Sequence, residues 1–211
     1  MKITSTNIAE PKTIIWNDKE VATGIYKKPI EQPIYLTRDD VATDTISDRH
    51  NHGGFYKACY IFAEEQYPHW EERYPDLDWG WGMFGENLTV SGLDEREIYV
   101  GAIYQIGEAV VQVSQNREPC FKLGHKFGSV LMIGDFIRHG RVGTYLSVLE
   151  EGHVSKGNEF ILQEIPKDKI TSYDLFQLLF GKEKNQDHLK IAIESRAIPK
   201  NKRVQLSRFL K

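Results

Sequence analysis

Ala102-Ile103-Tyr104-Gln105-Ile106-Gly107-Glu108-Ala109-Val110-Val111-Gln112-Val113-Ser114 is the stretch from which the fold is read. Ile103, Tyr104 and Ile106 lead into Gly107-Glu108, and Ala109, Val111 and Val113 then recur at every second position. That period belongs to a strand with one buried face, and Gly-Glu between two such runs predicts a β-hairpin. Outward from it, residues 1–166 are punctuated by Gly, Pro, Asn or Asp every ten residues or so, with β-branched and aromatic runs between. This predicts a strand-rich sandwich or barrel. A second hairpin is expected from residues 144–150 and 159–165, joined around Gly152 and Gly157. One helical insertion is expected at residues 63–74, where Tyr67, Trp70 and Tyr74 share a face and Pro68 either kinks the helix or marks its start.

After Pro166 the period changes. Leu175, Leu178 and Leu179 are spaced as on one helical face and Gly181 follows as a stop signal. Residues 188–194 and 201–211 supply two more short helices around a break at residues 195–199. Residues 1–166 carry 16 Lys and Arg against 25 Asp and Glu, whereas residues 167–211 carry 11 against 5. The two parts are therefore −9 and +6, and the tail is a separate electrostatic object. Its cations are interspersed with Leu, Ile and Phe at helical spacing, without aromatic stacking patterns, so a solvated face or a surface for an acidic partner fits better than nucleic-acid binding.

With 211 residues, 40% hydrophobic and 27% charged, the chain can bury a core and is unlike disordered sequences. No apolar run approaches the roughly 18 residues of a membrane span. Residues 1–10 lack the apolar core of a secretory signal, so a cytoplasmic location is expected. Two cysteines, Cys59 and Cys120, are too few for a disulfide framework or for a cluster held by four thiolates.

Cys120 lies in Ser114-Gln115-Asn116-Arg117-Glu118-Pro119-Cys120-Phe121-Lys122-Leu123, with Arg117 and Lys122 as neighbouring cations that favour a thiolate. By spacing alone this is either a reactive or metal-binding thiol or an inert buried one. Cys59, inside the apolar run Lys57-Ala58-Cys59-Tyr60-Ile61-Phe62, reads as a small buried hydrophobe. Upstream, Asp48-Arg49-His50-Asn51-His52-Gly53-Gly54 offers side chains that can hold an anion and glycines that permit close approach. His50 and His52 could also be a zinc pair, without further ligands at zinc-site spacing. Phe84-Gly85-Glu86-Asn87-Leu88 reads as a tight turn before a strand. There is no Gly-x-Ser-x-Gly elbow, phosphate loop or dinucleotide fingerprint, which argues against a self-sufficient hydrolase, kinase or nicotinamide enzyme.

In this order, His52-Gly53-Gly54 with Lys57-Ala58, Phe84 to Leu88, the hairpin, Ser114-Gln115-x-Arg117-x-Pro119-Cys120-x-Lys122-Leu123, Arg141-Val142-Gly143-x-Tyr145 and Val148-Leu149-x-x-Gly152 resemble the MOSC domain, named for the C-terminal part of molybdenum cofactor sulfurase. The tail, with Asp174-Leu175-Phe176 and Leu178-Leu179-Phe180 before Gly181, looks like the three-helix appendage of stand-alone bacterial proteins of the YiiM type. The resemblance implies a mainly β protein: a MOSC-type β-barrel over residues 1–166 with a few inserted helices, then a C-terminal three-helix domain over residues 167–211.

It also implies binding of the molybdenum cofactor, a pterin whose dithiolene sulfurs hold the metal. Cys120 would be the thiolate ligand to molybdenum and the catalytic residue, as soft thiolate ligation suits such a metal. His52, Gly53, Gly54, Lys57, Asn87, Ser114, Gln115, Arg117 and Lys122 would bind the cofactor, Arg117 and Lys122 by neutralising its phosphate or an oxo group. Glu86 would orient a loop. The family pattern has Gly-Asp where this chain reads Gly101-Ala102, a difference expected to affect local stability rather than the metal. The activity implied is reduction of N-hydroxylated compounds, such as a hydroxylaminopurine, to amines, with electrons from a separate flavoprotein or iron-sulfur protein that the basic tail could dock. A cofactor carrier, or a sulfur carrier with a Cys120 persulfide, are the alternatives. The oligomeric state is open.

Overall fold

The decisive stretch folds as expected: β8 (Ile103–Ile106) and β9 (Ala109–Asn116) pair antiparallel, with Ile106 opposite Ala109 and Tyr104 opposite Val111. The computed structural model describes residues 1–211, the side chains of His50 and Asn51 excepted. Around the hairpin, an eight-stranded sheet runs in the order β12 (Phe160–Glu164), β8, β9, β10 (Thr144–Glu150), β6 (Cys59–Ala63), β7 (Leu88–Ser91), β1 (Lys2–Ile8), β4 (Lys28–Ile30). β6 and β7 run parallel and the other pairs antiparallel. Two small ribbons flank it, β2 (Lys12–Trp16) with β3 (Lys19–Thr23), and β5 (Ile34–Leu36) with β11 (Gly152–Val154).

No continuous ladder closes this sheet, so the expected barrel is a strongly curled open sheet. Register shifts in the pairs of β1, β10 and β12 bend it. Its rims meet at a short seam: Phe160 N donates to Met1 O, Ile3 N to Asn158 O, and Gly157 N to Ile3 O. The expected pairing of β10 with β12 does not form. β10 pairs with β9 and β6, while β12 lies on the far side of the β8–β9 hairpin against β8. The chain between them leaves the sheet to pair β11 with β5.

β6 is buried on both faces, which is why it reads as a continuous apolar run. Cys59, Ile61 and Ala63 enter the aliphatic core with Leu88, Val111, Val113 and Leu146. Tyr60 and Phe62 face an aromatic cluster with Trp70, Phe84 and Phe136. Cys59 is therefore the inert thiol the sequence suggested, its acidity suppressed by burial.

A single turn, α1 (Arg49–His52), precedes the loop into β6. α2 (Tyr67–Arg73) starts at the Tyr67-Pro68 pair, so Pro68 opens this helix rather than kinking it. Two further short helices, α3 (Phe121–Lys126) and α4 (Met132–His139), follow the Pro119 turn. After residue 166 come α5 (Ser172–Phe180), α6 (Gln186–Glu194) and α7 (Lys200–Ser207), packed around Leu175, Leu189, Ile198 and Leu206. Thr171 and Asp174 cap α5 reciprocally. Gly181 ends that helix in an extended conformation with φ −66°, not the left-handed one usual for a stop glycine. Its need for glycine is steric, since a Cβ would lie 2.6 Å from Gln177 O. Among the described residues no helix is long and apolar enough to cross a membrane.

Candidate functional site

Beyond the end of β9 the chain turns inward at Arg117, passes the rigid Pro119, and presents Cys120 at the start of α3. Cys120 is half-buried in the wall of a cleft whose empty space, open solvent included, is about 610 Å³. The opposite wall comes from residues 23–25, Lys27 and residues 44–47, and Ala58 and Tyr60 near the start of β6, Gly85, Asn87 and Tyr145 complete the lining. At Gly85 the backbone has φ +79° and a Cβ would meet Ile25 Cγ1 at 2.9 Å, so glycine lets the two loops touch. Glu86 beneath it accepts from Gly82 N (2.9 Å), Phe84 N (3.1 Å) and Thr89 Oγ1 (2.8 Å), holding the loop as expected.

Charge in the cleft is one-sided. Lys27, Lys57, Arg117 and Lys122 line it against a single carboxylate, Asp44. Asp44 is already committed to Lys27, to Ala9 N (2.8 Å) and to Asn87 Nδ2 (2.8 Å). Arg117 is 6% exposed, with its guanidinium 5.1 Å from the Tyr60 ring centre and 5.7 Å from that of Phe136, and it donates to Phe84 O. Lys122 donates to Ala22 O and Ser47 Oγ, both at 3.1 Å, tying α3 to the opposite wall. Behind the lining, Lys126 donates to Ile25 O (3.0 Å) and Gly82 O (2.9 Å), and burial, only partly offset by Glu86, pulls its ammonium down to about 7.

His52 is held down to about 4 by burial and then by Lys57, Arg117 and Lys122, so near neutral pH it is an uncharged imidazole rather than a cation. Tyr145 is 9% exposed, with Lys57 Nζ 5.9 Å from its ring centre. Its hydroxyl has no hydrogen-bond partner among the described residues, although it borders the cleft. Burial pushes this phenol up to about 12, against the pull of Arg117, so it keeps its proton across the physiological range.

The structure thus brings six of the expected residues to one cleft: His52, Lys57, Asn87, Arg117, Cys120 and Lys122. Four are not in it. Ser114 Oγ lies 2.7 Å from Tyr56 O and 3.0 Å from Tyr145 O, a role inside the wall. Gly53, Gly54 and Gln115 line a neighbouring recess, whose empty space, open solvent included, is about 510 Å³. Asn87 is largely occupied, since Tyr60 N donates to its Oδ1 at 3.2 Å while its amide nitrogen serves Asp44. The His50 side chain lies outside the described residues, so the zinc pair that the sequence also allowed is not described. Among the described residues no three His, Cys, Asp or Glu converge as metal ligands. Lys27, Asp44, Ser47 and Tyr60 were not foreseen, because they reach the cleft from segments without a local motif. Tyr145 was visible only as the last residue of Arg141-Val142-Gly143-x-Tyr145.

Comparison with known proteins adds to this geometry. A model of the MOSC domain matches residues 48–160. The uncharacterized protein YflK of Bacillus subtilis is 42% identical over 155 residues, spanning 74% of this chain and 70% of that one. A protein named Reductase from Gibberella moniliformis is 33% identical over 156 residues, 71% of this chain but 27% of its own length. The crystal structure of YiiM from Geobacillus stearothermophilus superposes with a TM-score of 0.82 at 29% identity, covering 100% of this chain and 99% of that one.

Proposed function

Because the chain belongs to the MOSC domain family, we propose that it is a molybdenum-cofactor-binding oxidoreductase that reduces N-hydroxylated compounds to amines. The observation that carries this reading is the joining of the Cys120 thiol, four cations and one already-paired carboxylate in a single cleft. That donor set fits the group: the cations suit a phosphate, and the thiol suits a soft metal already held by sulfur. The name of the Gibberella relative supports redox chemistry. The bound cofactor would supply two-electron removal of oxygen, so that R–NHOH, two electrons and two protons give R–NH2 and water.

The chain's own residues then divide the work. Cys120 would hold the metal through its thiolate. Arg117, stacked and buried, and Lys122, anchored on two oxygens, hold negative charge at fixed positions with little loss of side-chain freedom on binding. Tyr145, whose phenol keeps its proton, would supply one to the oxygen that leaves. Neutral His52 offers one N–H donor. Asn87 and Ser114 keep the walls in place. Electrons come from a separate flavoprotein or iron-sulfur protein, for which the basic tail is the docking surface.

The test is expression of the protein and its Cys120→Ala variant in a host that makes molybdenum cofactor, with molybdenum and pterin counted per chain and hydroxylaminopurine reduction followed with a chemical reductant. Stoichiometric cofactor and turnover lost in the variant is the expected result. Cofactor exchange to an apo-enzyme without turnover, or a cyanide-labile persulfide on Cys120, would replace the reductase with a carrier of cofactor or of sulfur.

A further inference from the structure

Beside the Cys120 cleft lies the solvent-open recess between the loop before β6 and the start of α7. Lys57 stands in the walls of both cavities, so the two adjoin. Gln115 forms part of the recess wall and is 3% exposed. Its Nε2 is 3.3 Å from Tyr56 O, while its Oε1 has no partner among the described residues. That oxygen is open to solvent in the recess, so a ligand hydroxyl can take the place of water there. Across the recess, Pro199, Asn201 and Lys202 of the tail form the opposite wall. The Lys202 side chain is 15% exposed and pairs with Glu118, two residues before Cys120. Lys57 lies within electrostatic reach of Lys202, Glu118, Asp48 and Cys120.

The lining of the recess thus combines two lysines, no carboxylate and one unused amide acceptor. We infer that it is the substrate's own subsite and that the substrate is a phosphorylated nucleoside with an N-hydroxylated base. This rests on the reductase reading above. The base would reach past Lys57 to the Cys120 cleft, a sugar hydroxyl would donate to Gln115 Oε1, and the phosphate would meet Lys202. A phosphate dianion competes well for that lysine, because the Glu118 side chain is 38% exposed and its pairing is weakened by solvent. The tail is then part of the binding site, which gives its contact with the Cys120 loop a purpose.

The experiment compares hydroxylaminopurine as free base and as ribonucleoside 5′-monophosphate, in kcat/KM with a chemical reductant. In parallel, binding of unreactive AMP and adenine is measured by calorimetry on the same protein. The monophosphate should be preferred roughly tenfold or more, through KM, as one charge-assisted contact provides. Lys202→Glu should collapse that ratio toward one, and Asn201→Trp, which fills the recess from an exposed position, should do the same. The ratio is read within each variant, so partial loss of folded protein cancels. Equal use of base and nucleotide by a working reductase overturns the recess alone. Lys202-dependent AMP binding with no reduction of any N-hydroxylated compound supports the recess as a nucleotide site and overturns the reductase reading.

Discussion

Tyr145 and Cys120 show how differently two residues of one cleft can be read. Cys120 stands in a contiguous motif after a strand, with a proline that stiffens its approach, so its candidacy was legible in the sequence. Tyr145 is a strand residue among apolar neighbours, and only the three-dimensional arrangement reveals its unpartnered hydroxyl beside the cations. The same holds for Lys27 and Asp44, which pair across 17 positions and carry no local signal. If Tyr145 supplies a proton at the leaving oxygen, Tyr145→Phe should lower kcat roughly ten- to hundredfold with KM little changed. Molybdenum per chain should stay at the wild-type level. A loss of metal in that variant would instead make Tyr145 a structural support of the cleft.

Among the elements, the local ones were legible and the distant pairings were not. The β8–β9 hairpin follows from a period of two across a two-residue turn, and the opening of α2 from its proline. The pairing of β12 with β8 instead of β10 is decided by which strands intervene in space, which no adjacent residues encode. α2 and α4 meet through His69 and His139, stacked with ring centres 4.3 Å apart, and His139 Nε2 lies 2.8 Å from Gln66 Oε1. Burial, with His69 and Arg141 nearby, holds His139 down to about 4. The unfolded chain therefore binds the extra proton first, and stability should fall as pH drops from about 6.5 to about 4. His139→Phe should make the melting curve less sensitive to pH in that window, with a shift of roughly 2–4 °C for each kcal/mol recovered. His52 leaves part of the slope in place, as it titrates with the same sign. An unchanged slope would mean that the helix pair tolerates the charge.

Across the whole molecule, the acidic body and the basic tail are joined tightly. Asn116 Nδ2 donates to Ser172 Oγ at 2.9 Å, Tyr56 Oη donates to Arg196 O at 3.2 Å, and Lys202 pairs with Glu118. Some tail cations hold the appendage together: Lys184 Nζ donates to Gly181 O at 2.6 Å. Lys182, Arg208 and Lys211 are exposed and are better probes of docking. Reversing those three charges should lower kcat/KM with an acidic protein donor roughly tenfold at low salt, and less as salt rises. Turnover with a chemical reductant should not change, and equal slowing with both reductants would remove the docking surface. The seam that joins Met1 and Ile3 to residues 157–160 also sets an order of events during synthesis. At about 5–20 residues per second, the first strand waits roughly 8 to 30 s on the ribosome before its partner segment exists. For that interval one rim of the sheet is bare, so a nascent chain stalled before residue 157 should be the form most dependent on chaperones.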